Sequence, residues 1–181
     1  MAHSFESTEF ENQEKQRELV HAIFRNLKVT EQLIRADSNY VKYKSGTGET
    51  AFHYLIIESE LDRAAKLLEW GSDINTQDYY GATPLISAAT ISQLETVKWL
   101  VARGANLELK TINKETALSW STSNENASVF QYLIKLPRCH PIDFYYDDVT
   151  GEIILRDKDL VMRDYLVSLG LSERYGAIGD S

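Results

Sequence analysis

The sequence predicts an all-α fold, a solenoid of about four to five helix-turn-helix units whose carboxyl-terminal cap holds a small β-hairpin. Two ladders of residues carry that reading. Thr50-Ala51-Phe52-His53, Thr83-Pro84-Leu85-Ile86 and Thr116-Ala117-Leu118-Ser119 place their threonines at a constant spacing of 33. Leu67-Leu68, Leu100-Val101, Leu133-Ile134 and Leu166-Val167 step by the same 33, and Gly71, Gly104 and Gly170 each stand three residues after the pair. A fixed period of this length means that one supersecondary unit is copied, and that each copy buries its apolar face only against its neighbours.

The chain of 181 residues is long enough for five such units, and its 43% hydrophobic and 25% charged residues suit a folded core rather than a disordered chain. The expected organisation is an acidic amino-terminal tail over residues 1–14, one repeat domain over 15–172 and a short tail over 173–181. Within the domain, residues 15–47 form an amino-terminal capping unit, 48–80, 81–113 and 114–141 are central units, and 142–172 is a divergent carboxyl-terminal cap.

In the capping unit, Leu19 and Ala22 fall 33 residues before Phe52 and Leu55, and Ile34 falls 33 before Leu67. The central unit shows the internal order best. Gly81 suits a turn position that needs positive φ, Thr83 caps a short helix, and Pro84 is its first residue. Leu85, Ala88 and Ala89 recur at helical spacing, Ser92-Gln93 breaks the run, and Leu94 opens a second helix carrying Val97, Leu100 and Val101. In the third unit Pro137 stands where Gly71 and Gly104 stand in the others, so its second helix should end by Leu136. Farther on, the aromatic and β-branched runs around Asp148-Val149-Thr150-Gly151 read as a hairpin, followed by a helix from about Lys158 to Leu169.

These residues resemble the ankyrin repeat family. Gly81-x-Thr83-Pro84-Leu85-x-x-Ala88-Ala89 followed by Val97-x-x-Leu100-Val101-x-x-Gly104-Ala105-Asn106 is similar to its unit, clearly so from Gly48 to Leu136. The departures matter. The helix-opening proline survives only as Pro84, and the histidine that ties neighbouring turns in this family survives only as His53, with Ile86 and Ser119 at the equivalent positions. Ser59, Ser92 and Glu125 stand where a glycine normally separates the two helices, so the array is expected to be less stable than an idealised one.

Charge and composition narrow the chemistry. The net charge is −8, concentrated at the two ends, while the stretch from Arg17 to Ile142 carries 14 acids and 14 bases. No Lys/Arg stripe is present to hold phosphates, so nucleic acid is not an expected partner. The acidic ends suit either solubility or docking to a basic protein. No apolar run reaches the roughly 18 residues that span a bilayer, and residues 1–14 have no apolar stretch, so a cytoplasmic location with no membrane attachment is expected. With Cys139 as the only cysteine, neither an intrachain disulfide nor a cysteine zinc cluster can form. His3, His21, His53 and His140 show no spacing that would place two metal ligands on one helical face. Cys139 and His140 are adjacent, a geometry that usually points their side chains apart and disfavours a thiol nucleophile with its base. The expectation is therefore no enzyme, no cofactor and no metal.

The resemblance implies recognition of another protein through a concave groove and the turn tips. The residues it places there are Thr47, Glu49, Ile57 and Glu58 in the first central unit, and Tyr79, Tyr80, Ala82, Thr90 and Ile91 in the second. Ile112, Asn113, Glu115, Ser123 and Asn124 complete the set in the third. Tyr79 and Tyr80 are the leading candidates, since exposed aromatic rings with a polar tip are enriched at interface hot spots; the alternative for either ring is to cover the neighbouring turn. Trp70, Trp99 and Trp120 are expected to pack. A small acidic chain of this type also resembles bacterial immunity proteins, which implies an inhibitor of a basic toxin or enzyme, monomeric when free. The alternatives are a structural adaptor bridging two proteins, and an enzyme or small-molecule sensor with a pocket beside the Tyr145-Tyr146 hairpin.

Overall fold

A computed structural model of the protein describes residues 2–121 and 128–136. Eight α-helices follow one another: α1 (Ala2–Arg25), α2 (Leu27–Ala36), α3 (Ala51–Ile57), α4 (Leu61–Glu69), α5 (Pro84–Thr90), α6 (Leu94–Ala102), α7 (Ala117–Ser121) and α8 (Ser128–Leu133), with one 3-10 turn at Ser38–Lys42. Consecutive helices pair as hairpins, and α1, α3, α5 and α7 stack in sequence as the inner row while α6 packs on α8. The described residues thus form an all-α solenoid. The hairpin expected near residue 149 and the helix after Lys158 lie outside the described residues.

The 33-residue columns are the core. Leu19, Phe52, Leu85 and Leu118 form one fully buried column, and Ile34, Leu67, Leu100 and Leu133 form a second. Two further columns compensate each other: Leu55, Ala88 and Ser121 shrink along the stack while Ala64, Val97 and Phe130 grow. Interiors are packed to crystal density, so volume given up in one column has to be recovered in another.

Each unit opens on a turn shaped as a miniature hairpin, closed by Ser45 N–H to Glu49 O at 2.8 Å, Asp78 N–H to Ala82 O at 3.0 Å and Thr111 N–H to Glu115 O at 2.9 Å. Neighbouring turns then bond backbone to backbone. Tyr79 N–H donates to Thr47 O at 3.2 Å, and Ile112 N–H donates to Tyr80 O at 2.8 Å. Side chains repeat the link at one register position, Lys44 Nζ donating to Gln77 O at 2.7 Å and Gln77 Nε2 to Lys110 O at 3.2 Å. This closeness explains two glycines. A Cβ on Gly48 (φ +90°) would lie 2.6 Å from the Tyr79 ring, and one on Gly81 (φ +77°) would lie 3.1 Å from Lys110 O.

His53 completes the link between the first two turns. With Thr50 it closes a capping box at the start of α3. Its Nδ1 accepts from the Thr50 backbone N–H at 3.3 Å, which leaves the proton on Nε2 to be donated to Ala82 O at 3.1 Å. At the equivalent place in α7, Ser119 Oγ likewise accepts from Thr116 N–H, at 2.8 Å. Ile86 is buried at the equivalent place and contributes packing alone.

α1 runs without a break through residues 14 and 15. Helix-favouring Glu, Gln and Lys carry it, with Lys15 paired to Glu11 at 2.8 Å and Arg17 to Glu14 at 2.7 Å.

Two stability measurements follow. Ser92 sits in the left-handed region (φ 57°), where a side chain is strained. Ser92→Gly is expected to stabilise by about 0.5–1 kcal/mol, since the relieved strain exceeds glycine's extra unfolded-state entropy; thermal denaturation reads it as a higher Tm. The second concerns pH. Burial holds the His53 pKa below its ordinary 6.5, partly countered by the bond to Ala82. The unfolded chain therefore binds more protons, so the His53 contribution is complete above about pH 6.5 and is lost as pH falls below it. Urea titrations at several pH values should show that slope flattened in His53→Gln.

Candidate functional site: the concave groove

The stacking that buries one side of the inner helices leaves the other side open. Residues 54, 87 and 120 occupy one register position on α3, α5 and α7, and read Tyr, Ser and Trp; residues 57 and 90, one turn on, read Ile and Thr. Ser87, Trp120, Ile57 and Thr90 of this set line, together with the turn bases, a cleft of about 380 Å³. Its walls include Ile57, Tyr80, Ala82, Thr90, Ile91, Ile112, Asn113 and Glu115, all of them expected from the sequence, and also Asp78, Ile86, Ser87, Thr111 and Trp120.

Three exposed large apolar side chains meet at its rim. Ile91, Tyr80 and Ile112 are 47%, 61% and 68% exposed. Such apolar surface, grouped around a concavity rather than scattered, is what distinguishes a contact site from ordinary surface. Two carboxylates stand among it. Asp78 is fixed by accepting the Tyr80 and Ala82 backbone N–H groups, each at 2.8 Å. Glu115 is 6% exposed, and its Oε2 accepts from the Thr111 hydroxyl at 3.4 Å.

The remaining expected residues divide. Thr47 and Glu49 bond one another within the first turn, the Thr47 hydroxyl donating to Glu49 Oε2 at 2.9 Å. Glu58 is exposed at the end of α3. Ser123 and Asn124 lie outside the described residues. The two tyrosines have different surroundings. Tyr79 lies against Gly48, with Lys44 Nζ 5.5 Å from its ring centre, whereas Tyr80 lines the cleft.

Sequence reasoning missed the amino-terminal continuation of the groove. A second cleft of about 420 Å³ is lined by Gln16, Arg17, Val20, His21, Phe24, Arg25 and Tyr54. The Phe24 and Tyr54 rings meet edge to face with centres 6.2 Å apart, and the Arg63 guanidinium sits 5.0 Å from the Phe24 ring. The signal was available: His21, Phe24 and Arg25 precede Tyr54, Ile57 and Glu58 by 33. Trp120, expected to pack, does so against the core and lines the groove as well.

A third cleft, lined by residues that include Glu9, Lys42, Tyr43 and Tyr79, lies beside a latch between α1 and the 3-10 turn. There the Tyr43 hydroxyl donates to Asp37 Oδ2 at 2.8 Å, and the Tyr40 hydroxyl donates to Glu18 Oε2 at 2.7 Å. The Asn39 backbone N–H and the Tyr43 hydroxyl hold the Asp37 carboxyl below its usual range, and the bond to Glu18 pushes the Tyr40 phenol up to about 12. These groups satisfy one another, an arrangement that fastens the cap and leaves no base poised at neutral pH.

Among the described residues no cluster of His, Cys, Asp and Glu could hold a metal ion, and no helix is long and apolar enough to cross a membrane. The pocket expected beside Tyr145-Tyr146 lies outside the described residues.

These positions predict that the two tyrosines separate by stability. Tyr79→Ala should cost about 1 kcal/mol by uncovering the Gly48 turn, while Tyr80→Ala should stay within about 0.5 kcal/mol, read by urea denaturation.

Comparison with known proteins bears on the same residues. The family model for ankyrin repeats in three copies matches residues 18–111 and again 64–143. The chain is 39% identical over 93 residues to human ankyrin repeat domain-containing protein 37, covering 50% of this chain and 59% of that one. An ankyrin repeat protein of Rickettsia felis is 29% identical over 112 residues, covering 61% of this chain and 37% of its own. Rat ankyrin repeat and SAM domain-containing protein 6 is 30% identical over 109 residues, 59% of this chain and 12% of the relative. In all three, the match spans less than two thirds of the relative's length.

Proposed function

We propose, from the premise that this chain belongs to the ankyrin-repeat family, that it is a non-enzymatic binding module holding a partner protein in its concave groove and against its turn tips. The observation that carries this reading is the grouping of exposed Tyr80, Ile91 and Ile112 around one cleft whose backbone is already fixed by the turn ladder. A preformed apolar surface loses little conformational entropy on binding, which favours recognition over a role as bare scaffold surface. Binding another protein is the general role of such repeats, and the contact residues named here are the specific part of the proposal.

The finer reading is an inhibitor. A net charge of −8 favours encounter with a basic partner, and a groove-bound protein whose active-site cleft is covered loses activity. An adaptor would use the same groove and leave its partner active.

Full-length protein bearing Ile112→Lys, compared with the unaltered chain in affinity capture from the source cell, tests the groove. The captured partner should be lost or bind at least tenfold more weakly, because a charge is placed in the apolar contact; equal capture by a folded variant would reject the groove. For the inhibitor, association should slow markedly between about 50 mM and 500 mM salt, and the partner's activity should fall in proportion to complex formed.

A further inference from the structure

The groove changes sign along its length. At the α1 end, Arg17, His21 and Arg25 surround the Phe24–Tyr54 cleft, whereas at the α5–α7 end the charged groups of the cleft are Asp78 and Glu115. Between them the lining is mainly apolar, Ile57 and Ile91 with the small polar Ser87 and Thr90, and Glu58 stands exposed at the end of α3 outside the lining of either cleft. Arg17 already pairs with Glu14, but Arg25 and Asp78 form no ion pair among the described residues. The two ends share α3 as a common wall: Tyr54 faces the first cleft and Ile57, one turn on, the second.

Desolvation makes this gradient selective. A charge brought into an apolar cleft has to meet an opposite charge there, or its lost hydration is uncompensated. Asp78 is held in place by its two backbone bonds, so its carboxylate is a fixed point and not a swinging one. A uniformly basic segment would match the Asp78 end and be repelled by Arg25; a uniformly acidic one would meet the reverse.

We infer that the occupant is one continuous segment of a partner protein whose charges are segregated: carboxylates toward Arg25, an aliphatic or aromatic side chain against Ile57 and Ile112, and Lys or Arg toward Asp78. This rests on the groove reading above and adds the chemistry of its ligand. Four inner helices at 8–10 Å spacing give a groove of roughly 30 Å, the length of a helix of about 20 residues.

The probe is a displayed library of random 20-residue peptides selected against the full-length protein, with the strongest binder then synthesised alongside a version of equal composition whose charges are shuffled. The selected peptides should concentrate acids toward one end and bases toward the other, and shuffling should weaken binding about tenfold. Arg25→Gln and Asp78→Asn should each weaken the original peptide about three- to tenfold, at unchanged helical circular dichroism. Asparagine at 78 keeps the side-chain oxygen that holds the turn. Peptides that lose binding to Ile112→Lys yet tolerate shuffling and both charge substitutions would overturn the segregated ligand while leaving the groove intact. Peptides indifferent to Ile112→Lys would overturn the groove itself, and a library showing no enrichment would count against both.

Discussion

The distance between neighbouring turns sets the geometry of the whole stack. Each turn is a small hairpin whose two limbs are one strand spacing apart, about 4.8 Å, and the backbone bond to the next turn adds roughly another 4.8 Å. The repeat along the turn layer is therefore close to 10 Å, within the 8–10 Å at which packed helices sit. Both layers can then be satisfied at once: Tyr79 N–H reaches Thr47 O and Ile112 N–H reaches Tyr80 O while α3, α5 and α7 remain in contact. Gly48 and Gly81 are consequences of this match, since a side chain at either would force adjacent turns apart. The last described turn has Lys114 at the corresponding position, in the left-handed region at φ 63°.

Because the ladder and the buried columns hold the units in register, the groove positions are released from structural duty. Column 19, 52, 85 and 118 reads Leu, Phe, Leu and Leu, all buried, whereas column 21, 54, 87 and 120 reads His, Tyr, Ser and Trp. The first must fill a core and tolerates little change in volume. The second meets solvent on one side, so its chemistry can differ from unit to unit without disturbing the stack. This separation is why one scaffold hosts unrelated partners, and why the partner's character has to be read from the groove column and not from the fold.

Much of the fold was legible because its signals are local and periodic. Thr83 caps α5 through Ile86 N–H at 3.2 Å, Pro84 opens that helix, and the second helix of the unit begins at Leu94, as the residue order indicates. The start of α1 was not legible, because its first turns are polar and the apolar period on which helix reading depends begins only near Leu19. The roles of Tyr79 and Tyr80 could not be separated either: adjacent residues of one turn have the same sequence context, and only the approach of Gly48 from the neighbouring unit distinguishes them. Block charges likewise concealed the groove's gradient. A stretch with equal numbers of acids and bases reads as neutral, although Arg17, His21 and Arg25 lie at one end of a single face and Asp78 and Glu115 at the other.

The ties between turns change in kind along the stack. His53 joins the first and second turns through Ala82 O, but Ile86 has no polar group to extend toward the third; there Gln77 Nε2 donates to Lys110 O, Asn75 Oδ1 accepts from the Asn106 backbone N–H at 2.7 Å, and Ile112 N–H donates to Tyr80 O. The cleft rimmed by Tyr80, Ile91 and Ile112 spans that junction, with Tyr80 and Ala82 on one side and Ile112 and Asn113 on the other. A partner seated there bridges two units, and whatever binds only the ordered junction stabilises it by mass action. Recognition and the order of the stack are then coupled at this position: a ligand against Tyr80 and Ile112 touches both turns at once, and its contacts add to the bonds that already join them.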